Sequence, residues 1–398
     1  MMRTKAVTVT AAMASTILAS DNGPIQGVKG RGALSNAPGR FAETRANVDL
    51  LVLDQEVINE SLDKGEKGPL IPAQAIQVRA EKSRSIISRN QSPDLPFSQS
   101  INPYQGCEHG CIYCFARPTH SSGGLSPGLD FETKLSYKAN AVELLEQALV
   151  TPKYRCQPIV LGTNTDPYQP LEKEQQITRQ LLEVLLRHRH PVSIVTKSSL
   201  VLRDLDLLEE MARQQLCSVR ISMTTLDNEL KRTLEPRTPS SVTLLKTIRE
   251  LNQAGVPVGV MAAPVIPKIN DQELEAILEA SRDAGAKTAA YILIRLPHEV
   301  RPLFEQWLTA HYPGRANHVM NLIKQCDLSS PSGCGSNNSG RGGNKGNGSK
   351  GSGYYAEMIA QRFREACSRL GLRAGEGGKL NCQLFRQSGG AGQLTLFY

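Results

Sequence analysis

Three cysteines, Cys107, Cys111 and Cys114, fall in one short segment, Tyr104-Gln-Gly-Cys-Glu-His-Gly-Cys-Ile-Tyr-Cys-Phe-Ala-Arg117, with the spacing C-x3-C-x2-C. Thiolates are the usual ligands of iron–sulfur clusters, and a four-iron cluster held by only three of them leaves one iron open to a small molecule. No fourth cysteine falls close enough to complete the set, so the open position is where chemistry could start. Gly106 and Gly110 let the backbone bend and bring its N–H groups toward inorganic sulfides. Two other readings use the same residues. One is zinc bound by the three cysteines with His109 or His120, although the spacing matches paired zinc patterns poorly. The other is a structural cluster, which would normally take a fourth thiolate.

The segments around this loop must place it. From about residue 99 onward, short apolar β-branched runs alternate with helical periods. Strands are expected at 100–104, 158–161, 192–196, 218–224, 256–261 and 289–294, and helices at 173–188, 204–214, 242–253 and 271–284. Repeated strand and helix units of this size predict an α/β fold with parallel strands and helices outside, either a barrel or a doubly wound sheet. In both, ligands sit at the carboxyl ends of the strands, and the cysteine loop follows the first strand at that end. Residues 1–98 read as a flexible arm with short ordered pieces, broken by Gly27 to Gly32 and by Ser92 to Pro96. Residues 99–296 form the core, and 297–328 a helical extension. Residues 329–353, nearly all Gly, Ser, Asn and Lys, read as a linker that makes Cys334 a poor ligand, and 354–398 as a helix and tail.

Bulk composition bounds the partners. The 398 residues suffice for one barrel-sized domain with extensions, and the net charge of +8 is compatible with a polyanion such as nucleic acid. Nine cysteines, an odd number spread along the chain, point away from a secreted disulfide framework and toward the cytoplasm. No run is long and apolar enough to span a membrane. The first twenty residues, with Arg3, Lys5 and no acid, have a composition that an organelle transit peptide also shows.

The C-x3-C-x-Tyr-C pattern ahead of alternating strands and helices resembles the radical S-adenosylmethionine (SAM) superfamily. Within it, Ser100 to Pro118, Leu161 to Pro170 and Ala263 to Asp271 resemble an uncharacterised bacterial family related to spore photoproduct lyase. The resemblance implies a partial (β/α)6 barrel. It also implies a [4Fe–4S] cluster on Cys107, Cys111 and Cys114, S-adenosyl-L-methionine chelated to the fourth iron, and an external electron donor. Reductive cleavage would then give methionine and a 5′-deoxyadenosyl radical that abstracts hydrogen from a substrate.

By position, the resemblance sets Tyr113 near the adenine and Asn164 and Asp166 at the methionyl amino group, although Asn, Asp and Pro also make ordinary polar turns. Lys197 would meet the methionyl carboxylate in a charge-assisted contact. Ser222 would reach the ribose or carboxylate, or fill the barrel interior. Arg237 would meet an anionic substrate, or be a solvated surface arginine. One departure stands out. Photoproduct lyases relay the radical through a cysteine after the second strand, and Leu161 to Tyr168 contains none. Cys156 and Cys217 flank strands, where isolated cysteines are commonly packing residues.

The chain ends in Gln393-Leu-Thr-Leu-Phe397-Tyr after a glycine-rich tether. Gln393, Leu394, Leu396 and Phe397 look like the peptide by which bacterial repair proteins dock on the DNA sliding clamp, with two apolar anchors and one amide. The alternative is an apolar tail folded back on the protein. The expectation is therefore a radical SAM enzyme acting on an unidentified substrate, with DNA repair by a lyase-like reaction as one form. Modification of a protein or small molecule is the second reading. A non-enzymatic, zinc-stabilised nucleic-acid-binding or clamp-tethered protein is the third.

Overall fold

The computed structural model describes residues 30–40, 76–91, 97–326, 351, 353–375 and 379–387. The strands are β1 (Gln77–Glu81), β2 (Ile87–Arg89), β3 (Gln99–Ile101), β4 (Tyr104–Gln105), β5 (Lys134–Lys138), β6 (Ile159–Leu161), β7 (Val192–Thr196), β8 (Cys217–Met223), β9 (Val258–Val265), β10 (Thr288–Leu293) and β11 (Arg373–Ala374). Eight of them form one sheet in the order β11-β10-β9-β8-β7-β6-β3-β2. Its six central strands, β3 and β6 to β10, pair in parallel, while β2 adds antiparallel at one edge and β11 parallel at the other. The α/β, partial (β/α)6 architecture is therefore present. β1, β5 and β4 form a separate small sheet, and β4 leads directly into the cysteine loop.

The physical basis is the burial pattern. β8 and β9 are largely covered on both faces, as parallel strands beneath helices must be. The helix Ile177–Arg187 buries Ile177, Leu181, Leu182, Val184 and Leu185 in the same core. The helices Leu205–Arg213, Ser241–Gln253 and Leu274–Asp283 repeat the arrangement. The helix expected at 173–188 is broken at Gln176, which adopts φ +50°. There the Glu172 carboxylate accepts the Thr178 N–H at 3.0 Å, capping a new helix start in place of a continuous turn. The helical extension is two helices, Val300–His311 and Ala316–Cys326, separated at Pro313 and Gly314.

The helix Tyr354–Leu370 packs on Leu274–Asp283, with Arg362 pairing Glu275 at 2.6 Å and the Phe363 ring 4.7 Å from Tyr291. Residues 379–387 dock beneath the sheet: Asn381 N–H donates to Gln215 O at 3.0 Å and Arg386 N–H to His188 O at 2.9 Å. Gln215 and His188 precede β8 and β7, so this contact lies at the amino ends of the strands. Residues 92–96, most of 329–353 and the tail residues Gln393, Leu394, Leu396 and Phe397 lie outside the described residues. No helix among the described residues is long and apolar enough to cross a membrane.

Candidate active site

The loop after β4 turns twice in the left-handed region, at Gly106 (φ +75°) and Gly110 (φ +66°), which a side chain would resist. Between and after these turns sit Cys107 and Cys111, both buried, and Cys114, half-buried. Three elements grip the loop's backbone. Cys107 N–H donates to Phe131 O at 3.0 Å, and Ile112 N–H to Leu234 O at 3.0 Å. Gln169, after β6, accepts Glu108 N–H at 3.0 Å and donates to Gly106 O at 3.1 Å.

The three thiols are free. Burial pushes all three up, Cys107 well above its ordinary value, with Asp166 adding to the effect at Cys107 and Glu235 at Cys111. Three free thiols on one short loop supply the soft donors that a cluster takes, and coordination would deprotonate them despite their burial. Each histidine that a zinc site would recruit has one ring nitrogen engaged, and His120 Nδ1 is buried without a hydrogen-bond partner among the described residues. His109 Nδ1 lies 3.4 Å from Asp166, and His120 Nε2 lies 2.9 Å from Lys134 O.

The remaining sequence-selected residues converge at the carboxyl ends of β6 to β9. Asp166 accepts from Thr196 Oγ1 at 2.6 Å, Lys197 N–H at 2.7 Å and Tyr168 N–H at 2.9 Å. Burial would raise its pKa, yet the opposing pull of His109 and these hydrogen bonds holds it below the usual carboxylate range. Asn164 is half-buried, its N–H bonded to Asn102 Oδ1 at 3.0 Å. Ser222 Oγ approaches Ala263 O at 3.4 Å. Arg237 pairs with Glu108 in the cysteine loop at 3.2 Å, leaving its side chain 34% exposed.

Lys197 and Tyr113 meet in a network that the sequence did not reveal. Lys197 Nζ contacts Thr224 Oγ1 at 2.7 Å, Ala263 O at 3.1 Å and Glu235 Oε2 at 3.1 Å, and lies 5.7 Å from the Tyr113 ring centroid. Tyr113 donates its hydroxyl proton to Glu235, and Lys231 pairs with the other carboxylate oxygen. Glu235 is fully buried. Burial opposes its ionisation, but Lys197 and Lys231 overcome that cost and depress its pKa far below normal. Glu235 lies two residues before Arg237, but nothing in its spacing marks it as a partner of Lys197. Lys197 is thus held by two hydrogen bonds and one ion pair, with which an incoming carboxylate would compete.

A family model described as the radical SAM superfamily matches residues 101–280. An uncharacterised protein of Mycobacterium tuberculosis is 36% identical over 240 residues, 60% of this chain and 71% of that protein. An uncharacterised protein of Methanocaldococcus jannaschii is 27% identical over 265 residues, 64% of this chain and 95% of its own length. Among solved structures, a cysteine-to-serine variant of spore photoproduct lyase superposes with a TM-score of 0.51 at 16% identity, covering 75% of this chain and 81% of that one. A cysteine-to-alanine variant with a dinucleoside spore photoproduct superposes at 0.50 and 14%, with the same coverage. The family match runs from Ile101, the last residue of β3, into the helix Leu274–Asp283 and includes the cysteine loop. The chain therefore belongs to the radical SAM superfamily and is an enzyme that works with a [4Fe–4S] cluster and S-adenosylmethionine.

Proposed function

We propose that this enzyme takes hydrogen from a nucleic-acid strand held across the carboxyl-end face of the sheet, as a repair lyase acting on DNA would. The observation that carries the reading is the charge on that face. Several acids on its loops are engaged within the protein: Glu108 with Arg237, Asp166 with His109, Glu235 with two lysines, Glu299 with Arg40, and Asp271 with Tyr355, whereas Glu174 after β6 and Asp227 and Glu229 after β8 are exposed without an ion pair among the described residues. Glu273 accepts from Thr225 and from Leu226 N–H. Lys268, after β9, and Arg295, after β10, are exposed and form no ion pair among the described residues. Uncompensated cations around a mouth attract phosphates. Lys268 at φ +60° and His298 at φ +47° also hold backbone conformations costly for non-glycine residues, a feature that clusters at binding sites. The likeness to photoproduct lyases adds an analogy at the level of fold.

In this reading Cys107, Cys111 and Cys114 hold the cluster. Asn164 and Asp166 receive the methionyl amino group, Lys197 the carboxylate, Ser222 the ribose or carboxylate, and Tyr113 the adenine. Arg237 meets an anionic group of the substrate. Once bound and reduced, cluster and S-adenosylmethionine supply a 5′-deoxyadenosyl radical, while the protein positions the substrate and excludes water. The loop from Gly162 to Tyr168 carries no cysteine, so a thiol relay at that place is not part of the proposal.

The tail residues Gln393, Leu394, Leu396 and Phe397 are proposed to dock on a sliding clamp. The segment leading to them, 379–387, sits at the amino ends of the strands, so a partner there leaves the substrate face open. The substrate class is tested by binding oligonucleotides to the cluster-loaded protein across a salt series. Each lost phosphate contact should flatten the log–log salt slope by about 0.9. Lys268→Ala with Arg295→Ala should therefore reduce it by roughly 2. Absence of binding at low salt, or a slope unchanged by the two substitutions, refutes the proposal.

A further inference from the structure

Residues 30–40 lie as a strap on the loop that carries the three cysteines, tied to it through one buried ion pair. Glu132, fully buried, accepts the backbone N–H groups of Gly32 at 3.1 Å and Ala33 at 2.9 Å. The same carboxylate pairs with Arg117, equally buried, at 2.6 Å. Arg117 spends its remaining donors on backbone oxygens: Cys111 at 2.9 Å, Gly110 at 3.3 Å, Pro127 at 3.0 Å and Gly128 at 2.9 Å. All five N–H groups of the guanidinium are thereby used, a set that lysine cannot reproduce.

The fit of strap to loop is close. A Cβ on Gly32 would stand 1.8 Å from Gly110 O, and one on Gly128 would stand 2.2 Å from Ser35 O. Asn36 and Asp130 exchange two hydrogen bonds, at 2.9 and 3.1 Å, and Ser126 Oγ donates to Ala37 O at 2.6 Å. Arg31 Nη1 returns to Glu132 O at 3.0 Å. Ala33, fully buried, shares an apolar cluster with Cys111, Ile112 and Tyr113.

We propose that the strap, with Glu132 and Arg117 as positioning residues, fixes the shape of the cluster-binding loop and closes it to water and oxygen on the side of Ala33. Neither side chain hydrogen-bonds a cysteine sulfur. Arg117 acts on the loop through the carbonyls of Gly110 and Cys111, and Glu132 aligns Arg117 while fastening the strap. The arrangement predefines the loop before any metal arrives, so its loss appears in the apoprotein as well as in the loaded enzyme.

The test compares Gly32→Val, Glu132→Gln and Asn36→Ala in the full chain. In the apoprotein, amide hydrogen exchange is followed over residues 104–117 and, as an internal control, over β7 and β8. In the loaded protein, iron is counted during exposure to air, and the reduced cluster is examined by electron paramagnetic resonance. Outer partners of metal ligands typically govern affinity by about 10- to 100-fold, so Gly32→Val and Glu132→Gln should speed iron loss by that order and loop exchange in the same direction. The control strands should keep the parent exchange rate. Asn36→Ala, at an exposed position, should shift both readouts in the same direction by less, and it decides alone if the other variants fail to fold. Parent-like loop exchange and iron retention overturn the proposal. Faster exchange throughout β7 and β8 overturns it too, since that marks general loosening.

Discussion

Replacing Glu235 by Gln tests the buried network beside Cys111 most sharply. The substitution preserves shape and removes one negative charge, leaving the Lys197 ammonium, 3.1 Å away in the parent, and the Lys231 ammonium facing an amide. Lys231 is itself buried, so water cannot restore its solvation. Removing one partner of a buried pair costs about 3–5 kcal/mol, because the remaining charge stays uncompensated. For a chain of this size, each kcal/mol moves Tm by roughly 2 °C, so the apoprotein should melt about 6–10 °C lower. Adding Lys231→Met to Glu235→Gln should recover part of the loss, since the orphaned charge is then gone. Thermal unfolding of the metal-free proteins, followed by circular dichroism, measures both effects. A Glu235→Gln variant within about 2 °C of the parent would refute the view that Glu235 neutralises these lysines.

Three further outcomes are expected. Burial lowers the His190 pKa to about 4, against about 6.5 in an unfolded chain. Between those values the unfolded state binds the extra proton, so stability should fall by about 1.4 kcal/mol per unit as pH drops through this window. Urea midpoints for the parent and His190→Gln should therefore diverge at pH 7 and converge toward pH 4, and parallel pH profiles would contradict the assignment. Trp307 is fully buried, stacks on Phe304 at 5.4 Å and donates to Thr233 O at 3.0 Å. Trp307→Ala should cost about 3–5 kcal/mol in denaturant unfolding, and a loss below 1 kcal/mol would show that the helix pair is not coupled to the core. Leu396→Ala and Phe397→Ala should each weaken clamp binding by about 2 kcal/mol or more, as anchor residues do, and unchanged affinity by calorimetry removes the clamp from the proposal.

What the sequence disclosed follows from range. The cysteine loop was legible because its ligand types, glycines and spacing lie within a few residues of one another. The parallel core was legible because β-branched runs such as Val192 to Thr196 alternate with amphipathic periods. The broken helix at Gln176 was missed because the capping carboxylate of Glu172 competes with a continuous helical pattern. The strap was missed for a different reason. Gly27 to Gly32 carries the composition of a loop, and its partners Gly110 and Glu132 stand about a hundred residues away. Arg117 and Glu235 likewise look like surface charges until the fold buries each against an opposite charge. Edge strands of two or three residues, such as β11 and β2, have too short a pattern to register.

The central claim is that this chain makes a radical at the loop carrying Cys107, Cys111 and Cys114. The direct measurement is 5′-deoxyadenosine and methionine formed after anaerobic reconstitution, reduction and addition of S-adenosylmethionine, with oligonucleotide present and absent, beside a Cys111→Ala control. The account predicts both products from the parent and none above background from the control. Equal product from the two proteins, or none from a parent carrying its full iron and sulfide, would contradict it.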